Sequence, residues 1–230
     1  MNLEQVKAFL FDMDGVLFDS MPNHATSWAR AVQEHGLFMT REEVYLNEGR
    51  TGAGTINALA QRTWGRDATE EEIKAIYQTK SDIFNTCPLA LPMVGALEVL
   101  NKVRALGMLP LIVTGSGQKS LLNRLNKHYP GFFRPELMVT AFDVKQGKPY
   151  PEPYLKGLVK AGAVLKADGS PLRPEEAVVV ENAPLGVKAG KAAGIYTIAV
   201  NTGPLSDEVL KDAGADVVLP SMAALEEFLG

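Results

Sequence analysis

A chain of 230 residues with 46% apolar and 22% charged side chains has the make-up of an ordinary globular protein, long enough for one sizeable core plus a smaller appendage. Its 23 Lys and Arg against 27 Asp and Glu leave a net charge of -4, with no basic stripe for a nucleic-acid backbone, which argues against such a partner. The single cysteine, Cys87, excludes an intrachain disulfide. Met1 to Lys7 lack a signal-peptide profile and no apolar run approaches the roughly 20 residues that cross a bilayer, so a cytoplasmic monomer with no membrane partner is expected.

The first apolar run, Ala8 to Phe11, reads as a strand, and others follow at Leu109 to Val113, Leu137 to Thr140, Val178 to Val180, Ile195 to Val200 and Asp216 to Leu219. Several are apolar throughout instead of alternating, as in strands buried on both faces of a parallel sheet. Helical segments separate the later strands: Gly95 to Leu106, Gln118 to His128, Pro153 to Ala161, Pro184 to Ala193, Ser206 to Asp212 and Ala223 to Leu229. Pro153 and Pro184 stand where a first helical turn tolerates proline. This alternation predicts an α/β, Rossmann-like parallel sheet with helices on both faces.

The alternation breaks from about Asp19 to Leu91, where helical patterning around His24 to His35, Thr40 to Leu46, Ile56 to Thr63 and Glu70 to Phe84 serves no strand. A crossover needs only about a dozen residues. The surplus therefore reads as a helical cap domain over 19–91, inserted into a core domain formed by 1–18 and 92–230. Cys87 to Pro92 would be the returning linker, because Pro88 and Pro92 oppose helix continuation. One continuous domain with a long helical excursion is the alternative.

In Phe11-Asp12-Met13-Asp14-Gly15 two carboxylates follow the first strand one residue apart. Period-two geometry puts both on one side with Met13 opposite, and Gly15 permits the turn. The C-terminal strand ends of an open parallel sheet face the ligand crevice, where Asp12 and Asp14 could share a substrate and a metal. A turn-forming or helix-capping Asp pair is the local alternative, whereas a calcium loop is excluded because Leu17 stands where it requires Gly. Thr114-Gly115-Ser116, Gly147-Lys148-Pro149 and Glu181-Asn182 follow later apolar runs. Parallel strands bring such ends together, assembling a nucleophile, an acid/base, phosphate-oxygen donors and hard metal ligands. Taken singly, Thr114 could cap a helix, Lys148 could be a solvated loop charge, and Glu181-Asn182 could cap the helix at Pro184. Gly115 to Ser120 ends like a P-loop, yet Gln118 stands where that motif needs Gly, so no ATP site follows. Gly186, Gly190 and Gly194 recur every four residues, a spacing that suits close helix packing.

With Asp12 to Ser20, Thr114, Lys148 in Gly-Lys-Pro, and Glu181-Asn182 with Gly186 and Gly194 in this order, the chain resembles the haloacid dehalogenase superfamily over essentially its whole length. Within it, the likeness is to the β-phosphoglucomutase-like branch, which carries a helical cap after the first motif. The pattern including Glu48-Gly49-Arg50-Thr51-Gly52 and Thr114-Gly115-Ser116-Gly117 looks most like the inorganic pyrophosphatases of that branch. The resemblance implies a small phosphorylated substrate and Mg2+ as cofactor. It makes Asp12 the nucleophile that becomes an aspartyl phosphate and Asp14 the general acid and base, with Thr114, Lys148, Gly115 and Ser116 around the transferring oxygens. The implied magnesium ligands are the Asp12 carboxylate, the Asp14 main-chain carbonyl, Glu181 and Asn182.

Two departures sharpen this. The branch usually shows Glu-Asp in its last motif, and the neutral Asn182 should hold magnesium less strongly, so cap residue Glu48 is expected to reach the metal on closure; its alternative is a solvated loop acid. Gly52 stands where the mutase register offers an Arg to a second phosphate, with Arg50 two places away. Without that grip a bisphosphate intermediate leaves instead of reorienting. Pyrophosphate hydrolysis is therefore expected ahead of the alternative, interconversion of glucose 1-phosphate and glucose 6-phosphate. His24 stands where β-phosphoglucomutases have a histidine and supports the mutase, unless it is a core histidine packed near Trp28. Tyr77 and Lys80 on the last cap helix either face the substrate or lie on plain helix surface. A dehalogenase would need neither Asp14 nor magnesium, and a binding protein that had lost catalysis would have lost Asp12, Asp14 or Lys148.

Overall fold

The structure is a computed structural model that describes residues 3–117 and 119–230. Gln118, the expected start of one helix and the residue that breaks the P-loop pattern, lies outside the described residues. Six parallel strands, β1 (Ala8–Phe11), β2 (Leu109–Val113), β3 (Met138–Val139), β4 (Ala177–Glu181), β5 (Tyr196–Val200) and β6 (Val217–Leu219), form one sheet in the order β3-β2-β1-β4-β5-β6. Leu10 of the central strand pairs with Leu111 of β2 on one side and Val179 of β4 on the other. Among the described residues the helices between β1 and β2 are α1 (Met21–Glu34), α2 (Arg41–Leu46), α3 (Gly52–Trp64), α4 (Glu70–Thr86) and α5 (Ala96–Ala105). α6 (Lys119–His128) precedes β3, α7 (Glu152–Leu165) precedes β4, α8 (Pro184–Ala192) precedes β5, and α9 (Asp207–Asp212) and α10 (Met222–Phe228) bracket β6.

Neighbouring residues of a strand point to opposite faces, and here both faces are covered. Phe9, Phe11, Ile112 and Val180 pack with Val99, Leu100 and Val103 of α5 and Met222 and Leu225 of α10. Leu10, Val113 and Val179 pack with Tyr154 and Leu158 of α7 and Ala189 of α8. Two apolar layers on one sheet explain why the strands read as unbroken apolar runs; each such Leu or Phe adds about 1.5–3 kcal/mol.

The predicted strand from Leu137 to Thr140 is shorter in the structure. Pro135 opens a 3-10 turn through Leu137, and the Asp143 carboxylate accepts from both the amide and the hydroxyl of Thr140 at 2.8 Å. Two residues remain to pair with β2.

Helices α1 to α4 bury Ala25, Trp28, Val32, Val44, Ile56, Leu59 and Ile76 against one another. Their starts are set locally. Thr40 with Glu43 and Thr69 with Glu72 form reciprocal capping boxes, and Thr51 caps α3 through the amide of Gly54. Two crossings tie this insert to the sheet: the Asp19 amide donates to the Leu91 carbonyl, and the Met93 amide to the Leu17 carbonyl, both at 2.9 Å. Among the described residues no helix is long and apolar enough to cross a membrane.

Candidate active site

The C-terminal ends of β1, β2 and β4 converge, as parallel pairing requires. Asp12, Asp14, Thr114, Gly115 and Ser116 from the sheet side line one cavity together with His24, Glu48, Arg50, Tyr77 and Lys80 from the insert. Met13 lies in the same apolar layer as Phe9 and Phe11, on the face opposite the two carboxylates. Gly15 turns the chain at φ +81°, and a side chain there would meet the Asn182 amide nitrogen at 2.0 Å, so this position needs glycine for conformation and for space.

Lys148 is buried and is no solvated loop charge. Its Nζ lies 2.6 Å from Asp12 Oδ1 and 2.5 Å from Glu181 Oε1. Glu181 is engaged on both oxygens: the Tyr154 hydroxyl donates to Oε1 at 2.6 Å and the Asn182 amide to Oε2 at 3.1 Å. Gly186 makes room for it, since a side chain there would sit 1.9 Å from Glu181 Oε1. Glu181 thus fixes Lys148, which in turn holds Asp12. Burial opposes a charge on Lys148, yet Asp12 and Glu181 drive its pKa above the usual lysine range. Burial pushes Asp12 up to about 7 despite the pull of Lys148, with Glu181 and Asp14 adding to the rise.

Asp14 has different company. Ser20 Oγ donates to its Oδ1 at 2.6 Å, and His24 Nε2 lies 3.2 Å from the same oxygen. Burial works to raise the Asp14 pKa, but His24, Ser20 and Lys80 together bring it below the usual carboxylate value. Behind His24, Lys80 Nζ stands 3.1 Å from Nδ1. The His24 ring packs against Phe84 at 4.6 Å between centroids, and it is Lys80 that lies over Trp28. His24 is therefore a buried histidine that also touches Asp14. Burial lowers its pKa, aided by Lys80, and burial pushes Lys80 down to about 7 against the attraction of Asp14. Lys80 and Tyr77 both line the cavity.

Thr114 Oγ1 accepts from the Ser116 amide at 3.0 Å, two residues on, and so shapes its own loop. On the insert side the Gly49–Arg50 loop sits against the sheet: a side chain at Gly115 would meet the Gly49 carbonyl at 2.3 Å.

Fitness for a divalent cation turns on two orphaned oxygens. Glu48 and Asn182 are buried; Asn182 Nδ2 donates to Glu48 Oε2 at 3.0 Å, leaving Glu48 Oε1 and Asn182 Oδ1 with no hydrogen-bond partner. Burial and the nearby Asp12, Glu181 and Asp14 hold the Glu48 carboxyl well above the usual range. A hard cation satisfies both oxygens and relieves the crowded carboxylates. Among the described residues no group of three or more His, Cys, Asp and Glu forms a ready metal cluster, so such a site draws on the Asn182 amide oxygen and a main-chain carbonyl. The residues present fit magnesium on those terms.

Ser20, Tyr154 and Arg50 had no role from sequence. Ser20 belongs to the first motif, so its place immediately before α1 was a usable signal. Tyr154 offers none, because its contact crosses from helix to strand end. Arg50 lines the cavity with its Nε buried and unpartnered.

A family model described as haloacid dehalogenase-like hydrolase matches residues 6–194. The chain is similar to hexitol phosphatase A of Escherichia coli, 35% identical over 219 residues that cover 94% of this chain and 91% of that protein. It is also similar to glycerol-1-phosphate phosphohydrolase 2 of Saccharomyces cerevisiae, 32% identical over 216 residues covering 94% of this chain and 82% of that one. A solved structure from Bacteroides vulgatus, provisionally named a beta-phosphoglucomutase, matches with a TM-score of 0.89 at 58% identity, over 96% of this chain and 86% of that one.

Proposed function

The chain belongs to the haloacid dehalogenase-like hydrolases, phosphohydrolases of small phosphorylated compounds, and from that premise we propose that its substrate is inorganic pyrophosphate. The observation that carries this reading is the size of the cavity between sheet and insert, about 50 Å³, room for roughly three to five waters. The insert crowds it: a side chain at Gly52 would strike the Tyr77 ring at 2.4 Å, so the position that a mutase uses for an arginine is taken up by Tyr77. A compact anion suits this space better than a hexose phosphate, and Arg50 and Lys80 supply cationic groups for its far end.

In this reading the Asp12 carboxylate attacks phosphorus, an oxygen–phosphorus bond to Asp12 forms, and the bond to the leaving phosphate breaks as Asp14, ionised in the free site and protonated from solvent once the anionic substrate stands beside it, gives that proton to the leaving oxygen. Asp14 then takes a proton from water, which attacks the aspartyl phosphate and frees Asp12. Lys148 and Thr114 hold the transferring oxygens, and Glu181 keeps Lys148 in place. Magnesium, held by the Asp12 carboxylate, the Asp14 carbonyl, Asn182 and Glu48, would offset the repulsion between carboxylate and phosphate; Glu181, expected from the resemblance as a further ligand, is left out of this set because Lys148, Tyr154 and the Asn182 main-chain amide engage both its oxygens. Helices α1 to α4 act as a cap that closes over the substrate and excludes water.

The names of the similar proteins favour a second reading, a phosphate monoester of a small polyol or sugar. Steady-state phosphate release with magnesium, comparing pyrophosphate, glycerol 1-phosphate, a hexitol phosphate and β-glucose 1-phosphate, separates them. A large kcat/KM preference for pyrophosphate without isomerised sugar is expected. Preference for a polyol ester would replace the substrate, and glucose 6-phosphate formation would make the enzyme a mutase.

A further inference from the structure

A second and larger cavity, about 330 Å³, lies at the junction of insert and sheet. Gly15, Asp19, Tyr45, Asn182, Thr202 and Gly203 contribute to its walls. Met21 lines both cavities, and beside it the Asn182 to Glu48 hydrogen bond joins a residue of the second cavity to a residue of the first. These same two residues carry the buried oxygens that lack partners. The two cavities differ in charge. Arg50 and Lys80 line the catalytic one, whereas among the described residues no Lys or Arg lines the second, whose ionisable side chains are Asp19 and Tyr45.

A phosphate entering the second cavity would shed its hydration with no cation to replace it. A dication meets the opposite conditions, because Asp19 attracts it and hydroxyl and amide oxygens accept it in stages. We propose that this second cavity is the entry route of the divalent cation, which arrives past Asp19 and Tyr45 and exchanges the Glu48–Asn182 hydrogen bond for its own coordination. The phosphorylated substrate enters through the cavity lined by Arg50 and Lys80. Metal and substrate thus load by separate paths, so that a metal can exchange while the insert is closed. The inference rests on the metal assignment made above and is independent of which phosphate compound is hydrolysed.

Gly203 offers a direct test. Its backbone is open to any residue, and a side chain there first meets the Tyr45 ring at 3.4 Å, an ordinary contact, so Gly203→Leu narrows the route without touching a ligand. Mn2+ serves as the probe, its binding followed in stopped flow by quenching of tryptophan fluorescence, since Trp28 lines the catalytic cavity. Gly203→Leu is expected to slow Mn2+ association and dissociation alike, by about tenfold or more, with Kd within about twofold and the rate of inorganic phosphate binding unchanged. Asp19→Asn, which fills nothing, is expected to slow association about threefold and to flatten its salt dependence; it carries the test if Gly203→Leu does not fold. Unchanged Mn2+ rates in the folded variants would overturn the route, as would an equal slowing of phosphate. A wild-type chain that binds no Mn2+ would overturn the metal assignment itself, an outcome distinct from either.

Discussion

On the sheet side of the site, Lys148 bridges Asp12 and Glu181, and Glu181 is held in turn by Tyr154 and a main-chain amide. On the insert side, Glu48 and Arg50 keep buried polar atoms without partners, and Lys80 is left with a pKa of about 7. On the sheet side Asp12, Lys148 and Glu181 are already answered by one another, so their geometry is set before a ligand arrives. Across from them Glu48 Oε1 and Arg50 Nε, with Asn182 Oδ1 beside Glu48, have no hydrogen-bond partner in the protein and are left for what binds. In the proposed reaction the chemistry falls to the strand ends and the choice of substrate to the helices.

Five substitutions break or sharpen that contrast. Asp12→Asn removes the proposed nucleophile and should lower kcat by about 10⁴ or more, with circular dichroism and melting temperature close to wild type; near-wild-type turnover in a single-turnover assay would take Asp12 out of that role. Lys148→Met strips the cation from two buried carboxylates and should cost about 3–5 kcal/mol of stability as well as activity, read from urea denaturation. Adding Glu181→Gln should recover part of that loss, and no recovery would mean that the triad is less tightly coupled than its distances imply.

The insert side should respond in binding and pH. Burial depresses the Lys80 pKa, so the side chain is cationic below about 7 and neutral above it. If its charge grips the substrate, kcat/KM should fall about tenfold per pH unit above 7, and Lys80→Arg should carry that fall to much higher pH. An unmoved limb in the pH–rate profile of Lys80→Arg would assign the ionisation to another group. The smallest effect is expected at Thr69, where Thr69→Ala removes one half of a capping box and should cost about 1 kcal/mol. Hydrogen exchange in α4 should report this loss while kcat stays unchanged.

Legibility from sequence followed the same division. The runs Ala8 to Phe11 and Val178 to Val180 announced themselves because strands buried on both faces need unbroken apolar runs. The helical patterns over Thr40 to Leu46 and Glu70 to Phe84 were readable because what starts these helices, the Thr40 and Thr69 caps, is local in the chain. Asp12, Thr114, Lys148 and Glu181 were readable because parallel topology decides where strand ends go. Contacts between elements were less so. Nothing near Tyr154 in the chain says that it will hold Glu181, and whether Lys80 lies outside a helix or under it depends on how α4 packs on α1. The short β3 escaped for a related reason, because the Thr140–Asp143 turn that ends it outweighs an apolar pattern.

The strip of chain that ties the insert to the sheet, Leu17 and Asp19 against Leu91 and Met93, begins just beyond Asp14. Ser20 follows at once and donates to the Asp14 carboxylate, and His24, one turn along α1, approaches the same oxygen. The proposed acid and base is thus tied to the insert. Swinging the helices aside to admit a substrate would carry His24 away from Asp14, and swinging them back would restore it. Like an appliance whose current is cut when its lid is raised, the site would idle while open: water could reach Asp12, but Asp14, no longer held ionised by His24, would not be poised as the base that makes water dangerous.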